Sequence, residues 1–63
     1  KVVIQAKGMR HVTIADALGQ VVHDTDQKAD RMILSMSQFE SGLYLIQVTT
    51  ERGMVTRRVT VVR

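Results

Sequence analysis

Apolar and polar residues alternate along most of this chain, the period-2 pattern of half-buried β-strands. In residues 9–15, Val12 and Ile14 fall on one face and His11, Thr13 and Ala15 on the other. Met32, Leu34 and Met36 alternate with Arg31, Ile33 and Ser35. Tyr44, Ile46 and Val48 alternate with Leu43, Leu45 and Gln47. Residues 2–6 and 20–23 are shorter runs of the same kind, and 54–62 closes the chain with Val55, Val59 and Val61 on one face. Arg57 interrupts that face. Either its side chain snorkels at the rim or a bulge shifts the register.

Glycines punctuate these runs. Lys7-Gly8 closes the first, and residues 16–20 form a hairpin connection in which Gly19 supplies a positive φ. Gly42 opens a further hairpin that turns near Gly53. Residues 24–29 are polar and unpatterned and read as the main loop. Residues 37–41 form a short irregular or 3₁₀ link, with Phe39 plugging the end of the core. A helix is arguable only over 13–22, where Gly19 and β-branched residues weaken it. Six short strands with turn signals every 8–12 residues or so predict an all-β sandwich or small barrel. No internal repeat or linker divides the chain, so residues 1–63 read as one module.

Length and composition sharpen this picture. A chain of 63 residues buries only about 60% of its unfolded surface, so its core is thin. Cysteine and proline are absent, the aromatics are Phe39 and Tyr44, and Val, with ten copies, favours strands over helices. No apolar run approaches the roughly 20 residues of a membrane helix. The chain opens on Lys1 inside an apparent strand, not a signal peptide, and the missing initiator Met suggests a domain cut from a longer protein. The net charge of +3 is unevenly placed: four arginines and no acid lie between Arg52 and Arg63. Such a basic end suits nucleic acid, anionic glycolipid or an acidic protein surface, or is a solvated edge strand protected by charge.

Candidate chemistry is sparse. His11 and His23 sit singly in strands, whereas a catalytic zinc takes three converging protein ligands. Ser35, Ser37 and Ser41 lack a nucleophile-elbow setting or a base. Residues 24–30 echo a calcium loop but lack its central glycine and distal Glu, and Lys28 sits among the ligands. Met32 and Met36 share a face with Leu34 and read as core filler. Arg52, Arg57 and Arg58 can contact phosphates, but a nucleic-acid surface of this size also wants stacking aromatics, and Tyr44 faces inward. No catalytic, cofactor or metal residue is assigned, and neither nucleic acid nor a membrane span is expected.

The order of residues carries more. Val12-Thr13-Ile14-Ala15-Asp16-Ala17-Leu18-Gly19-Gln20-Val21-Val22 resembles the V-x-I-y-n-x-x-G-x-x-V hairpin of the C-terminal sorting domains of type IX secretion. Residues 34–48, with Ser37, Gly42 and Tyr44, are similar to that family's l-d-l-S-x-L-p-x-G-x-Y-x-v-x-v segment. The ending from Gly53 through Arg57-Arg58-Val59 to Val61 and Arg63 resembles its basic, valine-rich terminus. Ala15-Asp16 replaces an aromatic-Asn pair, Phe39-Glu40 replaces Leu-Pro, Arg58 replaces Lys, and the family's opening Pro-Asn-Pro segment is absent.

The resemblance implies a small immunoglobulin-like antiparallel β-sandwich of about six to seven short strands. It implies a domain at the C-terminus of a larger cargo protein in a Gram-negative cell, in transit through the periplasm and then secreted or held at the cell surface. The implied partners are the cargo domain, the outer-membrane type IX translocon, and a sortase-like signal peptidase that usually removes the domain. Gly19, Gly42, Tyr44, Gly53, Arg57, Arg58, Val59, Val61 and Arg63 are the motif residues expected to be read. A homodimer by strand exchange is a further possibility. The competing reading is a β-sandwich adhesion or carbohydrate-binding accessory module, which would display exposed aromatics.

Overall fold

Asp16 organises the first hairpin. Its Oδ1 accepts hydrogen bonds from the backbone N–H of Leu18 (3.0 Å) and Gln20 (2.9 Å), and its carbonyl accepts one from Gly19 N at 3.0 Å. Gly19 takes a φ of 87°, a conformation that costs any residue with a Cβ. The turn thus forms where the sequence places it, with Asp16 capping three residues at once.

This hairpin joins two long strands in the computed structural model, which describes residues 2–62. The strands are β1 (Val2–Asp16), β2 (Val21–Leu34), β3 (Gly42–Thr50) and β4 (Gly53–Val61). They form one antiparallel sheet in the order β2-β1-β3-β4, with no helix among the described residues. The all-β expectation stands, and four long strands take the place of the six to seven short ones.

Two mergers account for the difference. Residues 2–6 and 9–15 are one strand, bent at Gly8 (φ 72°) with register shifts between Gln5 and Met9 and between Met9 and His11. The polar segment 24–29 is not the main loop but the middle of β2. Thr25 pairs with Val12, Asp26 with His11 and Ala29 with Met9. Backbone pairing does not depend on side-chain polarity. The alternation is present there, but its half-buried positions are Thr25, Gln27 and Ala29, none of them a large apolar residue.

One face of the sheet carries the core. Val12 and Ile14 are fully buried beside Ile46, Val48 and Tyr44, and Met9, Ile4 and Leu34 join them from the bent hairpin. The link after β2 adds Met36 and Phe39. A turn closed by Phe39 N to Met36 O (3.0 Å) presents the Phe39 ring to Tyr44, with centroids 5.3 Å apart. The Tyr44 hydroxyl donates to the Glu40 carbonyl at 2.7 Å. Phe39 therefore plugs the core as expected, and the buried phenol is satisfied.

Gly8 joins the two hairpins. Its N–H donates to Asp30 Oδ1 at 2.9 Å, and its carbonyl accepts from Glu51 N at 3.0 Å in the β3–β4 turn. Beyond it, residues 9–16 pair with both β2 and β3, whereas residues 2–5 pair with β2 alone.

Candidate functional site

The expected motif residues lie mainly on the β3–β4 hairpin. Its pairing runs from Gly42↔Val61 to Thr50↔Gly53 with no register shift. No bulge therefore occurs at Arg57. It lies opposite Ile46 on the core face, exposed, with Nη1 donating to the Thr56 carbonyl at 3.2 Å. Snorkelling is the alternative the structure adopts, because β4 is the sheet edge and water is within reach of the guanidinium. Arg58, opposite Leu45, projects from the other face. Adjacent arginines thus flank the edge strand on both sides.

Val59 lies opposite Tyr44 and Val61 opposite Gly42, both partly buried against the core. Gly42 opens β3, and Gly53 follows the tight turn at Glu51 and Arg52. That turn is held by Thr50 Oγ1, which accepts from Arg52 N and donates to the Gly53 carbonyl, each at 3.1 Å. Gly19 belongs to the other hairpin and lines a shallow outer-face groove with Ala15, Val21 and Leu45. Arg63 lies outside the described residues. The motif residues do not converge on a pocket; they lie along one hairpin, with Gly19 apart.

Charge on this hairpin is unneutralised. Among the described residues, Arg52, Arg57 and Arg58 form no ion pair; Arg10 pairs with Glu51 at 3.5 Å. Among the described residues, β4 has no pairing partner on its outward side in the sheet.

One cluster escaped the sequence reading. On the outer face His11 sits between two carboxylates of the neighbouring strand: Nδ1 contacts Asp26 Oδ1 at 2.6 Å, and Nε2 contacts Asp24 Oδ1. Thr13 Oγ1 also donates to Asp24 Oδ1, at 3.0 Å. With a carboxylate at each ring nitrogen, the imidazolium satisfies both. Hydrogen bonds to Asp26 and then Asp24 raise the His11 pKa above its ordinary value, and the His11 and Thr13 hydrogen bonds lower that of Asp24. The signal was His-x-Thr on one strand facing Asp-x-Asp on the next, which becomes visible only once 24–26 is a strand.

The other candidates stay apart. His23 lies opposite Ile14 on the core face, away from His11. Ser35 and Ser37 hydrogen-bond each other at 3.0 Å. Asp30, which the calcium echo required, accepts from Gly8. No group of three or more His, Cys, Asp or Glu able to hold a metal occurs among the described residues. Met36 is core filler, Met32 packs against the core from a half-buried position, and Met54 is exposed.

Together these features define a small antiparallel β-module whose distinctive surface is an open basic strand edge. Residues 1–62 match the profile of a family described as the secretion system C-terminal sorting domain, and the chain belongs to that family, the sorting domains of type IX secretion. A domain of this family marks its carrier for export to the cell surface or the medium. Comparison with curated proteins and with solved structures gave no match.

Proposed function

We propose that this chain is the C-terminal export signal of a larger cargo protein and that the type IX outer-membrane translocon reads its β3–β4 hairpin. The observation that carries this is the edge of β4, open to pairing and flanked on both faces by the unpaired Arg57 and Arg58. An incoming strand of the translocon gains backbone hydrogen bonds there, and the two cations steer and orient it. Tyr44, Val59 and Val61 fix the hairpin to the core, and Gly42, Gly53 and Gly19 shape the turns.

Passage through the periplasm and removal by a sortase-like signal peptidase complete the reading. An immunoglobulin-like sandwich is supported by the way residues 2–7 overhang the face of β3 and β4. Strand exchange through open edges is the route to a homodimer. The adhesion or carbohydrate-binding alternative is disfavoured, since Phe39 and Tyr44 are buried and leave no aromatic platform among the described residues.

A reporter fused ahead of residues 1–63 tests the proposal in a type IX-competent cell. The intact fusion should reach the surface or medium, and deletion of residues 59–63 should hold it in the periplasm. Export of the truncated fusion at the normal level would overturn the reading.

A further inference from the structure

Bending at Gly8 leaves a second open edge. Residues 2–7 overhang the core face of β3 and β4 and enclose with it a cleft of about 630 Å³. The two walls differ in kind. Six consecutive residues, 2–7, line one wall, so that strand turns its edge to the cleft. On the other wall alternate residues line it, Ile46 and Val48 from β3 and Val55 and Val59 from β4, so these strands turn their side chains to it. The overhanging strand pairs with β2 on one side only. The result is a backbone edge standing over an apolar floor, the geometry in which an added strand gains hydrogen bonds from one wall and burial from the other.

The charge at the cleft selects the occupant. Its cations are Lys7, Arg52 and Arg57, and no Asp or Glu lines it. A second copy fits poorly. β4 is basic like the cleft, and β2 carries its acids opposite half-buried Thr25 and Gln27, not opposite large apolar residues.

We infer that this cleft is a binding site for an extended segment of a partner protein that alternates apolar with acidic side chains. Apolar residues seat on Val55 and Val59, beside the already buried Ile46 and Val48, carboxylates face Lys7, Arg52 and Arg57, and the backbone pairs with residues 2–7. This site shares Arg57 and Val59 with the β4 hairpin but uses a different backbone edge, that of residues 2–7, and does not depend on the export reading.

A fluorescent ten-residue peptide alternating Val with Glu tests this by anisotropy on the full chain. Binding is expected, weakened at least tenfold when Lys replaces Glu in the peptide, when alternate peptide amides are N-methylated, or in Arg52→Glu/Arg57→Glu. The N-methylated peptide leaves the protein untouched, so a folding defect cannot imitate its effect. Hydrogen exchange should slow at residues 3–7 on binding. The inference is overturned if the peptide does not bind, if N-methylation leaves affinity unchanged, or if protection falls on β4 alone. Loss of binding through concentration-dependent dimerisation, or on adding the residues that precede the chain in its parent protein, likewise overturns it, in favour of a second copy or an intramolecular strand.

Discussion

Gly8 shows how one residue sets the shape. Its φ of 72° is left-handed, and a Cβ placed there would stand 3.2 Å from Glu51 Oε2. That carboxylate is flexible and can move, so the backbone conformation sets most of the cost. Gly8→Ala should destabilise the fold by about 1–2 kcal/mol in urea denaturation. Sequence reading saw Gly8 only as a strand end, because a positive φ within a strand and one within a loop have the same composition.

His11 was legible as a residue but not as a cluster. Its raised pKa gives stability that is fully present below its unfolded value of about 6.5 and lost as pH rises through the folded value. Asp24, with its pKa lowered, contributes above its unfolded value of about 3.9 and loses that as pH falls through the folded value. The clasp is thus complete between about pH 4 and 6.5. The melting temperature should hold up to about pH 6.5 and fall as pH rises from there through the raised folded value, and His11→Gln should flatten that fall. An unchanged slope in the variant would remove the clasp from the account.

Among the elements, β3 was the most legible, since Tyr44, Ile46 and Val48 are large, apolar and alternating. β2 was the least, because its middle is an edge strand with polar side chains on both faces, and pattern reading detects buried area, not backbone pairing. β4 falls between the two: its strand character was plain, but the place of Arg57 needed the register. That register explains the arginine physically. Without Arg57 and Arg58, residues 55–61 would form an apolar β-branched edge with no charge, the kind of strand that pairs with its own copies. Arg57→Val/Arg58→Val should therefore raise aggregation at constant secondary structure, measured by light scattering against circular dichroism. Arg57→Lys/Arg58→Lys should not, since either cation guards an edge.

The whole molecule has one core shared by both hairpins, because the bend at Gly8 returns Ile4 and Leu34 to the cluster around Val12 and Ile14. The all-β class, the first turn and the plug at Phe39 were readable in the chain. The single continuous sheet was not, since it depends on a bend and on the pairing of polar residues. A 63-residue domain carries roughly 3–9 kcal/mol of total stability at the usual 0.05–0.15 kcal/mol per residue. Ile14→Ala, at a fully buried site, removes about 2–5 kcal/mol, a large share of that total, while Ile14→Val costs about 0.5–1.5 kcal/mol and leaves it folded. Both changes lie far from the residues of the basic edge, which remain intact as sequence. If the translocon reads a folded hairpin, the Ile14→Ala fusion should accumulate in the periplasm like the truncation of residues 59–63, with Ile14→Val exported normally. Export of the Ile14→Ala fusion at the parental level, with unfolding verified by circular dichroism, would mean that the signal is read as an extended sequence, and the sheet would then serve only to protect it in transit.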